Sequence, residues 1–308
     1  MREHRDRERL RKTFGSVAEQ YDRARPEYPQ EIYDDLAELA ALEPGSRVLE
    51  IGPGSGKATA ELARRRYSVT GVELSPDLAE IAARNVPDAE IVVADFETWQ
   101  PSEAGFDAVV AFTAFHWIAP ELRYAKPARL LRAGGALAVV AGPHVLPPDG
   151  DPFFSEVQDD YDTVVPHPDN RPPRLPEQVE GWAAEFEASG LFASVEERRR
   201  LVALTYTADE FIDVLGTFSD NLALPEEQRE ELFRRIHARI AARPSGTVTK
   251  HHLLTLTVGS TPGEELRSSP GNKELRQRGA RSRCLRAEST WRRAGSDAPA
   301  VVRGLGAR

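Results

Sequence analysis

Between Arg47 and Gly142 five short apolar runs are separated, for the most part, by stretches of helical periodicity. The runs are "RVLEI" (47–51), "YSVTGVEL" (67–74), "AEIVVAD" (89–95), "FDAVVAFTAF" (106–115) and "ALAVVAG" (136–142). The helical stretches are "KATAELARRR" (57–66), "PDLAEIAARN" (76–85) and "ELRYAKPARLLR" (121–132), the last interrupted by Pro127. Short, continuously apolar strands separated by helices are buried on both faces, so the pattern predicts an α/β fold with a doubly wound, mostly parallel sheet. Its crossovers are right-handed. Two later runs, "SVEERRRLVALTY" (194–206) and "GTVTKHHLLTLTVG" (246–259), bring the expected strands to seven.

The flanking segments read differently. Residues 1–28 form a charged, then aromatic, N-terminal cap segment. The main domain is expected over 29–260, opening with a helix over 30–42. Residues 143–176 are rich in Pro, Asp and aromatics and read as an irregular insertion with one short helix. Helices are expected over 177–190, with a glycine cap at Gly190, and over 208–219 and 225–243. Together 143–176 and 207–245 read as lids over a site. Residues 261–308 lack periodicity and read as a disordered basic tail, with eleven Arg or Lys against three acids from Leu266 onward. The whole chain carries a formal charge of -9, which opposes a nucleic-acid partner. No apolar run is long enough to span a membrane. The N-terminus lacks the apolar stretch of a secretory signal. The one cysteine, Cys284, cannot form an intramolecular disulfide, and a cytoplasmic setting is expected.

The chemistry is concentrated in "VLEIGPGSGKAT" (48–59), placed where a strand gives way to a helix. In open α/β sheets that is where ligand loops lie. Gly52, Gly54 and Gly56 leave backbone without bulk. A nicotinamide dinucleotide fingerprint needs its third glycine one position later, where Lys57 stands. This favours a ligand that needs an open bend rather than a pyrophosphate seat. Glu50 precedes the loop. Glu73 ends the second strand, with Leu74 beside it, and a carboxylate there can accept both hydroxyls of a ribose. Asp95 follows the third strand with Phe96 next to it, an acceptor for an exocyclic amine beside an aromatic face. Each residue also has a plain structural reading. The glycines could make a tight turn, Glu73 could face the helix start at Ser75-Pro76, and Asp95 could cap a short helix. Lys57 and Thr59 read as solvent-facing or capping residues.

These stretches, with "VTGVELSP", "ADFETW", "FDAVVAFTAFHWI" and "LLRAGGALAVV", make the chain similar to the class I S-adenosylmethionine-dependent methyltransferases of the small-molecule, type 11-like kind. The resemblance runs from about Phe14 to Gly259. It implies a Rossmann-like fold and S-adenosyl-L-methionine as cofactor, held by Glu50, Gly52, Gly54, Gly56, Glu73, Leu74, Asp95 and Phe96. The segment "EQYDRARPEYP" resembles the family's N-terminal cap, with Tyr21 and Arg25 turned inward. No metal-ligand spacing is present in the sequence.

"TAFHWIAP" (113–120) follows the fourth strand, and the resemblance makes it a substrate edge. His116 is the candidate base and Trp117 the candidate hydrogen-bond donor. Read structurally, Phe115 and Trp117 are core and His116 a satisfied histidine. His144, His167, His251 and His252 are not singled out. The expected activity is methyl transfer to a small molecule, at a carboxylate or hydroxyl oxygen, by a monomer or homodimer. The place of an N-methylating N-P-P-[YF] stretch is taken by "FTAF", which again opposes a nucleic-acid substrate. On the residues alone two rivals stay open: a module that binds the cofactor without catalysis, and a nicotinamide-dependent oxidoreductase.

Overall fold

The structure, a computed structural model, describes residues 17–167 and 170–263. Most of the N-terminal segment and of the basic tail, including Cys284, lies outside the described residues. Helix α1 (Ala18–Ala24) and helix α2 (Gln30–Leu39) precede strand β1 (Arg47–Ile51). Then follow α3 (Lys57–Arg64), β2 (Ser68–Glu73), α4 (Pro76–Asn85), β3 (Glu90–Val93) and β4 (Phe106–Phe112). A 3-10 turn, Phe115–Trp117, leads to α5 (Pro120–Arg123), α6 (Ala125–Leu130), β5 (Leu131–Ala141) and β6 (His144–Val145). The C-terminal half holds α7 (Phe153–Glu156), α8 (Gln158–Val164), α9 (Ala183–Ser189) and β7 (Ser194–Thr207). It continues through α10 (Ala208–Leu215), α11 (Ser219–Leu222), α12 (Glu226–Ala241) and β8 (Thr247–Ser260).

The sheet runs β3-β2-β1-β4-β5-β8, with β7 on the outer edge of β8. The β1–β2, β2–β3, β1–β4 and β4–β5 pairs are parallel, and β8 is antiparallel to both β5 and β7. The described residues form eight strands rather than the expected seven. The extra one is the two-residue β6. It pairs with His251 and His252 of β8, on the edge that β5 leaves after Ala141. Pro143 has no N–H to continue the ladder, so the edge breaks there and resumes at His144. The break is anchored by Leu253 N–H donating to the Pro143 carbonyl at 3.1 Å.

Successive strand residues point to opposite faces, and both faces are apolar. Val48, Ala108, Val110, Ala136 and Ala138 pack with Ile32, Tyr33 and Leu36 of α2 and Leu62 of α3. Leu49, Ile51, Val109, Leu137 and Val139 pack with Phe115, Tyr124, Leu130 and Phe186. A ten-residue helix such as α2 is marginal alone in water. Full burial of Ile32 and Leu36, worth about 1.5–3 kcal/mol each, holds it to the sheet. Local signals set the other starts. The Ser75 hydroxyl accepts Leu78 N–H ahead of α4, and Thr207 and Glu210 form a capping box for α10. A third cluster joins the insertions: Phe153, Phe154, Phe211, Leu215, Leu232 and Ile236 pack around Tyr206 and Val248.

Candidate active site

The loop between β1 and α3 has all three glycines in the left-handed region, at φ of +66°, +61° and +89°. Gly52 has no room for a side chain, whereas Gly54 leaves room for an ordinary contact. A Cβ on Gly52 would lie 2.9 Å from the Cβ of Ala114, just past β4. A Cβ on Gly54 would stand 3.5 Å from Cε1 of Tyr21. The loop is therefore pressed between the end of β4 and α1. Glu73, at the end of β2, is 6% exposed. Its Oε2 accepts Gly54 N–H and its Oε1 accepts Ser75 N–H, each at 2.9 Å. Leu74, half-buried, follows it. So Glu73 binds both the glycine loop and the turn before α4, the latter in keeping with its structural reading at the helix start.

Glu50 is fully buried behind the loop. Its Oε2 accepts the Thr59 hydroxyl at 2.7 Å, while its Oε1 has no partner. Burial raises the carboxyl to about 7; the Thr59 bond opposes the rise and the nearby Glu73 charge adds to it. Thr59 is thus neither solvent-facing nor a cap. It is a buried donor to Glu50. Lys57, half-buried, opens α3. Asp95 Oδ1 accepts Glu97 N–H at 2.9 Å, and its carbonyl receives Thr98 and Trp99 N–H. It stabilises a turn, not a helix. Phe96 is placed in the core, with Lys126 Nζ 4.9 Å from its ring centroid.

Arg25 sits 5.1 Å from the Tyr21 ring and 4.2 Å from the Phe218 ring. Its Nε and Nη2 donate to the hydroxyl and carbonyl of Thr217 at 2.8 and 3.1 Å. Tyr21 therefore faces the glycine loop, while Arg25 ties the cap segment to the turn after α10. Tyr28, which the sequence did not single out, shares a 3.0 Å hydrogen bond with the Thr113 hydroxyl. Thr113 has a φ of +54°, an outlier for a β-branched residue, at a cost of roughly 1–3 kcal/mol. The Tyr28 contact and Thr113 N–H to the Val140 carbonyl, 2.8 Å, hold it.

That turn carries Ala114 against the loop, Phe115 into the core, and His116 and Trp117 onward. Phe115 meets Trp182 and Tyr124 edge-on. His116 and Trp117 are half-buried, with ring centroids 4.8 Å apart. Desolvation, then the guanidinium of Arg123, push His116 down to about 4. At neutral pH it is an uncharged imidazole. Among the described residues no group of His, Cys, Asp and Glu could hold a metal ion, and no helix is long and apolar enough to cross a membrane.

The mostly parallel sheet, with the glycine loop at the carboxyl end of β1 and the acid at the end of β2, defines a Rossmann-like fold. Comparison with known proteins carries this further. Residues 48–135 match a family model described as a methyltransferase domain. The chain is 29% identical over 237 residues to an uncharacterized methyltransferase of Mycobacterium tuberculosis, spanning 69% of this chain and 91% of that one. Over 125 residues it is 34% identical to the trans-aconitate 2-methyltransferase of Afipia carboxidovorans, covering 40% of this chain and 48% of that protein. A candidate type II methyltransferase from Anaeromyxobacter dehalogenans shares the fold, with a TM-score of 0.54 at 21% identity over 78% of this chain and 99% of that one. The family model, these relatives and the shared fold support a class I S-adenosylmethionine-dependent methyltransferase.

Proposed function

We propose that the protein transfers the methyl group of S-adenosyl-L-methionine to a carboxylate or hydroxyl oxygen of a small molecule in the cytoplasm. The observation that carries this reading is the joint built by Gly54 and Glu73. A side-chain-free, left-handed residue donates its N–H to a buried carboxylate, and Tyr21 stands one atom's thickness away. The site fits the cofactor on two further counts. A Cβ on Gly52 would fill the cradle against Ala114, and the orphaned Glu50 Oε1 is an acceptor awaiting a donor.

In this reading Glu73 accepts the ribose hydroxyls, and Asp95 faces the adenine. Gly52, Gly54 and Gly56 admit the methionine portion, with Tyr21 closing over it. When bound, the cofactor would supply an electrophilic methyl on sulfur for the acceptor oxygen. The protein's work is then orientation and exclusion of water. His116, held neutral, and Trp117 border the acceptor. With a pKa near 4, His116 is a weak base, so it serves better as a hydrogen-bonding partner of an already ionised acceptor. An ionised carboxylate fits that role, and the name of the Afipia relative points to a polycarboxylate acceptor.

The test is a screen of small carboxylates and alcohols with labelled S-adenosylmethionine, reading methyl ester or ether formation. Transfer to a carboxylate is the expected result. Cofactor binding without transfer to any acceptor would favour the non-catalytic binding module instead.

A further inference from the structure

Strand β8 overshoots its neighbour. Thr255 pairs with Ala141, the last residue of β5, so residues 247–252 extend past the carboxyl end of the parallel strands. That is the side on which ligands bind in such sheets. Lys250 and His252 lie on one face of this extension, and His144 of β6 pairs directly with His252. Val248, Leu254, Leu256 and Val258 occupy the same phase of the strand and are buried. A lysine stands where the pattern calls for an apolar side chain.

Lys250 is only 4% exposed, and its ammonium has no hydrogen-bond or carboxylate partner among the described residues. Its neighbour is the ring of Phe218, 4.8 Å away, and Arg25 lies 4.2 Å from the same ring. Arg25 also has no carboxylate partner among the described residues; its bonds go to Thr217. His144 is 7% exposed, with Nε2 buried and unpartnered. His252 Nδ1 is engaged by the Gly142 carbonyl at 2.9 Å. Burial and Arg25 bring Lys250 down to about 7, and burial and Lys250 push His252 down to about 3. A buried cation that lacks a counter-charge costs several kcal/mol and is kept only where something repays it.

We propose that Lys250, with His144 and Arg25, forms a seat for a carboxylate of the methyl acceptor, distinct from the atom that receives the methyl. Contacts link this seat to the cofactor loop: Lys250 to Phe218, Phe218 to Arg25, Arg25 to Tyr21, and Tyr21 to Gly54. The charge available suits a monoanion better than a phosphate dianion, because Nε and Nη2 of Arg25 already donate to Thr217, leaving it a partial share, and the buried imidazoles are neutral. An ammonium on the receiving oxygen would hold down its lone pairs and oppose attack. The carboxylate on Lys250 is therefore an anchor, and the acceptor carries a second polar group. The inference rests on the methyl-transfer reading for the acceptor's identity, not for the anion seat itself.

The test uses the full chain with glutarate, tricarballylate, neutral glutaramide and inorganic phosphate as probes, without cofactor. Thermal melting and calorimetric titration are recorded for the wild type, Lys250→Met and Lys250→Arg. Glutarate or tricarballylate is expected to raise the melting temperature of the wild type and leave Lys250→Met unmoved. Affinity should fall at least about tenfold in Lys250→Met and stay within about threefold in Lys250→Arg. In carboxylate-free buffer Lys250→Met should melt at or above the wild type, since it removes the uncompensated charge and keeps the bulk. A Lys250→Met protein that melts well below the wild type marks a structural lysine and overturns the proposal. So does an equal carboxylate shift in both proteins, stabilisation by glutaramide as strong as by glutarate, preference for phosphate, or a wild type that no carboxylate moves. A separate titration with S-adenosylhomocysteine keeps the two readings apart: its failure defeats the methyltransferase reading and leaves the carboxylate result standing.

Discussion

Gly54→Ala separates the loop's backbone requirement from its role in binding. Gly54 has a φ of +61°, where an L residue costs roughly 1–2 kcal/mol. The new Cβ would meet Tyr21 Cε1 at 3.5 Å, an ordinary contact, so no clash adds to that cost. For a domain of this size each kcal/mol moves the melting temperature by about 2–4 °C, giving a drop of roughly 2–8 °C. The same methyl fills the gap between the loop and Tyr21, through which the methionine portion would pass. Affinity for S-adenosylhomocysteine should therefore fall at least about tenfold, or about 1.4 kcal/mol. Gly54→Val, β-branched, should lose binding altogether while melting lower still. Calorimetry and differential scanning on the same samples supply both numbers. A variant that melts low but binds within about twofold of the wild type would show that the loop is only a turn.

Glu50→Gln tests the buried carboxyl. Its folded pKa, about 7, lies above the unfolded value, so the stability linked to it is fully present below about pH 4.5 and is lost as pH rises through 7. Denaturant melts should find Glu50→Gln more stable than the wild type at pH 8, by an amount of order 2–3 kcal/mol that shrinks toward pH 4.5; equal stability throughout would contradict the assignment. His116 and His252 are held neutral, with folded values near 4 and 3, so their stability is present above about pH 6.5 and is lost as pH falls. Replacing both by Asn or Gln should flatten the loss of stability between about pH 6.5 and 4, and an unchanged slope would refute it. Once an acceptor is in hand, His116→Ala and Trp117→Phe should keep cofactor affinity within about twofold and slow methyl transfer by roughly 10²-fold. The wild-type rate should show no rise near pH 6.5 from His116; a rise there would make it a base of ordinary pKa.

The parallel core was legible because its strands announce themselves as continuous apolar runs with helical spacing between them. Elements whose limits are set by tertiary contacts were not. The helix expected over 177–190 begins only at Ala183, after Gly181, whose backbone stands against the Glu197 carboxylate from β7. The helix expected over 208–219 stops at Leu215, where Arg25, nearly two hundred residues away, takes the hydroxyl and carbonyl of Thr217. A two-residue strand such as β6 has no periodicity to read. In the candidate site, the meeting of the glycine loop with Glu73 follows from topology, since a loop after one strand and an acid after the next lie side by side. Thr59, Tyr28 and Thr113 do not, because their partners come from other elements. Lys250 carried one usable signal, its place in the buried phase of "TVTKHHLLTLTV".

The central claim is that the Gly54–Glu73 joint receives S-adenosylmethionine. Isothermal titration of S-adenosylhomocysteine and of NADH into the wild type and Glu73→Ala tests it most directly. The account predicts saturable binding of S-adenosylhomocysteine to the wild type, weakened about ten- to a hundredfold in Glu73→Ala through loss of the ribose acceptor and release of the Gly54 amide. Absence of binding to the wild type, or tighter binding of NADH, would contradict it.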